Sequence, residues 1–182
     1  MQKGKFITFE GSEGVGKSTN ILLVKEHLEA KNIDLLLTRE PGGTPLAETI
    51  RGLLLNKSAE DIDETCELLM VFAARAQHLN TVIVPALNKG QWVVCDRFTG
   101  STYAYQGGGR GLDKNLISEL EKVVQQGLVP DLTFYLDIDV SLGLSRAVAR
   151  AELDRFACEN IDFFERLRFA YLVRVKRGYL NN

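Results

Sequence analysis

Eight consecutive residues constrain this chain more than any others: Gly11-Ser12-Glu13-Gly14-Val15-Gly16-Lys17-Ser18, spaced as G-x-x-x-x-G-K-[ST]. Before them stands Lys5-Phe6-Ile7-Thr8-Phe9-Glu10, rich in β-branched and aromatic residues, which reads as a buried strand. After them, Ser18 to Lys31 places Ile21, Val24 and Leu28 on one face of a helix. A strand that turns through glycines directly into a helix opens a βαβ unit.

The rest of the chain keeps that alternation. Ile33 to Thr38, Gln91 to Asp96 and Leu132 to Asp137 read as further strands. Helices are expected over Pro45 to Leu55, with proline in the first turn, and over Glu64 to Leu87, with Leu68, Leu69 and Phe72 as core candidates. Asp113 to Gln126 is a helix that Asp113 caps and Gly127 ends. Ser141 to Ala151 and Phe163 to Arg177 are the last two, separated by a charged segment. Pro41-Gly42-Gly43 reads as a loop, as does the stretch after Asp96 that contains Gly107-Gly108-Gly109. The alternation implies right-handed crossovers and a central parallel sheet in a three-layer α/β sandwich, one domain over residues 1–182.

Composition narrows the function classes. A net charge of -2, with 45% hydrophobic and 25% charged residues, is ordinary for a globular chain and gives no nucleic-acid surface or polybasic membrane patch. Met1 to Lys5 runs straight into the first strand, so neither a signal peptide nor a membrane span is expected. Cys66, Cys95 and Cys158 are too scattered for a disulfide framework or metal cluster, which suits a reducing cytoplasm. His27 and His78 lack a second ligand type at metal spacing and read as core or surface helix residues.

The glycine loop has a direct chemical reading. Glycines let the backbone turn its N–H groups toward an anion, and the positive end of the following helix adds to the field. Lys17 is placed to bridge outer phosphates, and Ser18 to offer its hydroxyl to Mg²⁺. Glu13 is repelled by phosphate, so it either points across the cleft or is a solvated turn residue. Asp96, at a strand's carboxyl end, suits a Mg²⁺-linked carboxylate, and the planar fork of Arg97 suits two phosphate oxygens; a structural ion pair is the competing reading. Phe72 and Arg75 share a helix face that could stack on and hydrogen-bond a base, although spacing alone also allows Phe72 as core. Arg146 and Arg150 repel at i, i+4, a repulsion that a polyphosphate relieves; with Arg155 they form either a binding cluster or a solvated face shared with Glu152 and Asp154.

Taken together, the runs Phe9 to Ser18, Thr38-Arg39-Glu40-Pro41-Gly42-Gly43-Thr44-Pro45, Ala73-Ala74-Arg75, Asp96-Arg97-Phe98 and Ala104 to Gly111 make the chain resemble the thymidylate kinase family, from residue 5 to about 170. The resemblance implies a P-loop nucleoside monophosphate kinase fold, transfer of the γ-phosphate of MgATP to dTMP, and a homodimer formed through helices such as Leu68 to Leu79. It implies that Gly11 to Ser18 and Thr19 hold the ATP phosphates and that Ser18 and Asp96 serve the metal. Glu40, Pro41, Arg51, Phe72, Arg75, Arg97, Ser101, Thr102, Tyr105 and Gln106 would line the dTMP site, with Arg75 reading thymine and Tyr105 disfavouring a ribose 2′-hydroxyl. Residues 143–158 resemble the lid of the bacterial type, whose Arg146, Arg150 and Arg155 join Lys17, Arg97 and Glu13 in catalysis.

Two departures from the family pattern stand out. The family's stacking aromatic lies four residues before the thymine-reading arginine, where this chain has Val71, with Phe72 one later. The family also adds a strand, an adenine-contacting loop and a helix, and no such strand is legible after Tyr171. Two rival readings remain at this level: a P-loop kinase for another nucleoside monophosphate, or an impaired nucleotide-binding module. A GTPase-type switch is disfavoured because Asn56-Lys57-Ser58-Ala59 lacks the acid of a guanine-reading motif.

Overall fold

The computed structural model describes residues 3–56, 60–149 and 155–178. Four strands form one parallel sheet in the order β2-β3-β1-β4: β1 Phe6–Glu10, β2 Leu35–Arg39, β3 Trp92–Asp96 and β4 Leu132–Tyr135. All five residues of β1 are buried, as expected of a central parallel strand covered on both faces.

The period of two divides the core. Ile7, Phe9 and Val94 face helix α1, Lys17–Glu29, where Ile21, Val24 and Leu28 meet them. Phe6, Val93 and Cys95 face the opposite way, onto Phe98, Leu79, Ile83 and Leu87. The remaining helices are α2 Pro45–Leu55, α3 Glu64–His78, α4 Val84–Asn88, α5 Thr99–Thr102, α6 Lys114–Gln125, α7 Val140–Ala149 and α8 Ile161–Gly178. Caps fall where side-chain chemistry puts them. Asp63 and Asp113 accept from first-turn N–H groups, and Thr44 accepts from Ala47 just before Pro45.

Two points differ from the sequence reading. Leu69 is 51% exposed, so it is not core, while Leu68 and Phe72 are fully buried. The stretch after Asp96 is not a loop: α5 runs into a π-helical segment, Tyr103–Gly109. Its glycines serve close packing, since a Cβ on Gly109 would lie 2.4 Å from the Phe163 ring and one on Gly108 2.6 Å from the Ala170 Cβ. The helix read over Glu64 to Leu87 is present: α3 continues through a π segment, Leu79–Ile83, into α4, and the widened turn lies just before Pro85, whose missing N–H removes a rung of the ladder.

The combined stretch Glu64–Asn88 spans 25 residues and is apolar enough, by length and composition, to cross a membrane. Here its buried side is a core face, carrying Leu68, Phe72, Ile83 and Leu87 together with the ion-paired Glu67 and Arg75. Beyond the sheet's other flank, β4 forms an edge on which Leu132 and Phe134 are exposed. Among the described residues no strand follows β4, and residues 161–178 form the single helix α8.

The crossover from β1 leads to one side of the sheet and the crossover from β3 to the other. These neighbours therefore part at their carboxyl ends and open a crevice there, the usual ligand position in such sheets. The register brings Asp96 level with Phe9 and Arg39, so the residues following β1, β2 and β3 meet at that crevice.

Candidate active site

The crevice holds a cleft of about 470 Å³. One end is the glycine loop. Gly16 takes the left-handed conformation, φ 92°, and N-caps α1 without a side-chain bond, leaving the first-turn N–H groups unclaimed by any capping side chain. Lys17 folds back and donates to the carbonyl oxygens of Gly11 at 3.0 Å and Ser12 at 2.9 Å. Burial, with the nearby Arg97 cation, pulls its ammonium down to about 8. Val15 and Ser18 line the cleft, and the side chain of Ser18 is exposed. Thr19, also exposed, is not among the lining residues.

The centre of the cleft is built around the β3–α5 turn. Arg97 has a left-handed backbone, φ 67°, a conformation worth about 1–3 kcal/mol of strain for a non-glycine residue. Glu10 holds that turn. Its buried carboxylate accepts from the Phe98 amide at 3.0 Å, Ser101 Oγ at 2.6 Å and the Tyr171 hydroxyl at 3.2 Å. Burial pushes the Glu10 carboxyl up from its ordinary range. Arg97 donates to the Gly11 carbonyl at 2.8 Å and to Glu13 Oε1 at 3.1 Å, and its guanidinium lies 5.0 Å from the centre of the Tyr105 ring. Glu13 therefore points across the cleft rather than into solvent, and Tyr105 donates to the same oxygen.

Asp96 supplies the best fit for a divalent cation. Its Oδ1 is buried with no hydrogen-bond partner in a cleft that also exposes Ser18. The described residues contain no cluster of three or more His, Cys, Asp or Glu side chains able to hold a metal. A single carboxylate and a hydroxyl fit the Mg²⁺ habit of keeping waters and phosphate oxygens as its other ligands.

The far end of the cleft is organised by Arg75, only 2% exposed. Its Nε donates to Glu40 Oε2 at 2.6 Å and its Nη2 to Thr102 Oγ1 at 2.9 Å. The rings of Phe72 and Phe98 each lie 5.0 Å from its guanidinium. Its Nη1 is buried and unpartnered. Ser101, Thr102, Tyr105 and Gln106 line this end beside Glu40, Pro41 and Arg51, whose Nη1 donates to the Pro41 carbonyl at 2.9 Å.

The structure redistributes some of the expected roles. Phe72 is not a cleft residue: it packs with Leu68 and Ile117 beneath Arg75, and Val71 lines the cleft instead. The reason is angular, because one residue along a helix turns the side chain about 100°. Arg155 does not reach toward the glycine loop. It pairs with the buried Glu67 and donates to the Leu54 carbonyl at 2.9 Å. Arg146 is exposed on α7 and not among the lining residues, and Arg150 lies outside the described residues.

Sequence reasoning passed over four supporting residues. Glu10 and Tyr171 fix the turn that carries Arg97, Glu67 gathers Gln106, Arg110 and Arg155, and His78 lies under Glu40. Glu10 carried a signal, a carboxylate ending an apolar strand as Asp96 does; the others pair with residues tens of positions away and carried none.

Comparison with known proteins adds an independent line. Residues 9–180 match the family profile described as Thymidylate kinase. A thymidylate kinase of Teredinibacter turnerae is 61% identical over 175 residues, covering 96% of this chain and 85% of that protein. One of Ectopseudomonas mendocina is 60% identical, covering 94% of this chain and 81% of that protein. The crystal structure of thymidylate kinase from Ehrlichia chaffeensis superposes with a TM-score of 0.79 at 37% identity, covering 97% of this chain and 87% of that one.

Proposed function

The chain belongs to the thymidylate kinase family and is a dTMP kinase, and we propose that its cleft carries out the transfer with the residues that line it. ATP places its outer phosphates on the N–H groups of residues 11–19, with Lys17 turning from its own loop carbonyls to the phosphate oxygens. dTMP lies toward Arg75, whose unspent Nη1 donates to a base carbonyl. A phosphate oxygen of dTMP then attacks the γ-phosphorus as the bond to the ADP oxygen breaks, giving dTDP and ADP.

Catalysis is mostly positioning and charge neutralisation. Arg97 faces both phosphate sites and balances charge on the transferring group, while Glu13 and the Tyr105 ring hold its guanidinium in place. Asp96 and Ser18 are the residues we assign to Mg²⁺, which when bound would supply positive charge against the phosphates. Tyr105, buried and lining the cleft, is the residue we assign to disfavouring a ribose 2′-hydroxyl. Val71 supplies an apolar wall for the base. Arg155, once released from Glu67, and Arg146 on α7 are further arginines we assign to the transferring phosphates, as is Arg150, which lies outside the described residues.

A homodimer is supported by exposed Leu46 and Leu53 on α2 and Leu69 on α3, and not by Leu68 or Leu79, which the fold uses internally. A cytoplasmic setting is supported by three unpaired cysteines. The observation that carries the site assignment is that one cleft joins the Lys17 loop, Arg97 and the unspent Nη1 of Arg75. An ADP-release assay with dTMP beside dUMP, AMP and GMP tests it. dTMP is expected to be the preferred acceptor of the set. Preference for AMP or GMP would refute the thymine reading, and nucleotide binding without any transfer would favour a non-catalytic module.

A further inference from the structure

His78 is fully buried at the end of α3 and takes no part in the chemistry above. Both ring nitrogens are engaged. Nδ1 lies 3.2 Å from Glu40 Oε1 and Nε2 lies 2.6 Å from Thr38 Oγ1. A carboxylate only accepts, so Nδ1 carries the proton and donates to Glu40. In the neutral ring Nε2 then accepts from the Thr38 hydroxyl.

The contacts form a chain that ends in the cleft. Thr38 fixes the ring, the ring fixes one oxygen of Glu40, and the other oxygen of Glu40 takes the Nε of Arg75. Thr102 occupies Nη2, so Nη1 alone stays unpartnered, on a side chain that lines the cleft. Without its Nδ1 contact, Glu40 could rotate and carry the guanidinium with it. The backbone makes room for this arrangement at Gly43, where a Cβ would fall 2.3 Å from His78 Nε2.

We propose that His78 is a positioning residue for base recognition, which through Glu40 sets the orientation in which Arg75 presents Nη1 to the 4-oxo group of thymine. The inference rests on Arg75 facing the base, as proposed above. Ordering by a supporting hydrogen-bond shell of this kind is what keeps a recognition group within about 0.5 Å of its working position. A 4-amino base such as cytosine offers a donor where thymine offers an acceptor, so the fixed N–H discriminates between the two.

The test is steady-state kinetics of the full chain with dTMP and dCMP at saturating MgATP. In His78→Gln the amide replaces Nε2 and loses the Glu40 contact. It should raise the KM for dTMP about tenfold, leave the KM for ATP unchanged and lower the dTMP-to-dCMP ratio of kcat/KM about tenfold, the scale set by one mispositioned buried hydrogen bond. In His78→Asn the amide replaces Nδ1, and it should restore most of that ratio. Thr38→Val, nearly isosteric and outside the cleft, should shift the same ratio the same way by about threefold, and it decides the matter if the histidine variants do not fold. Arg75→Ala is the control. An unchanged ratio in the His78 and Thr38 variants, with the ratio lost in Arg75→Ala, overturns the role of His78 and leaves Arg75 as the base reader. An unchanged ratio in Arg75→Ala overturns the base pocket and this inference together.

Discussion

The ammonium of Lys17 donates to the carbonyl oxygen of Gly11 at 3.0 Å, so the loop holds its own lysine at the place where phosphate is to bind. Burial and the Arg97 cation set that ammonium to about 8. Phosphate oxygens favour the charged form and raise it. ATP binding at pH 8.5 should therefore take up about three-quarters of a proton, and at pH 6.5 almost none. Calorimetric titration in two buffers of different ionisation enthalpy reads this directly, and Lys17→Met should abolish the uptake. The same shift has a stability signature. Because the folded chain holds this proton less tightly than the unfolded chain, the contribution of Lys17 to stability is unfavourable below pH 8 and is relieved as pH rises toward 10.5. Lys17→Ala should lose most turnover while keeping the wild-type unfolding midpoint or exceeding it; near-normal turnover would remove the loop from the mechanism.

Glu67 is completely buried and pairs with two arginines, Arg110 at 3.2 Å and Arg155. Removing a buried charge from its partners costs about 3–5 kcal/mol. Glu67→Ala should lower the urea midpoint accordingly, with Gln106 losing its acceptor as well. A midpoint within error of wild type would show that water replaces the carboxylate freely.

Gly109 lies under α8 with no room for a side chain. Gly109→Ala should destabilise by about 1–3 kcal/mol through overpacking against Phe163, although alanine is the better helix former. Thermal unfolding of this variant beside Gly111→Ala, where a Cβ meets nothing within 4 Å but the backbone has φ 82°, separates packing from backbone strain. If the two lose stability equally, close packing is not what the glycine serves.

Cys66 and Cys158 are exposed, whereas Cys95 is buried in β3 and burial raises its thiol well above the ordinary range. An aromatic disulfide reagent should titrate two thiols in the native protein and a third only in denaturant. Rapid labelling of all three would mean that β3 opens readily.

What the sequence determined by itself was local. Two glycines, a lysine and a serine at fixed spacing after a β-branched run specify a strand, a tight turn and a helix start, because each depends on backbone sterics within a few residues. The alternation of four strands with helices then fixed the sheet as parallel and placed Asp96 and Arg97 at its carboxyl edge. Tertiary packing decided the rest. Whether Val71 or Phe72 faces the cleft depends on how α3 is rotated against α6, and Leu68 and Ile117 set that rotation from residues 49 positions apart in the chain. The helical run through Gly107-Gly108-Gly109 formed because α8 covers it, which no local propensity signals. The pairing of Glu67 with Arg155 and of His78 with Glu40 arises only when segments 88 and 38 residues apart meet and must satisfy each other's polar groups away from water.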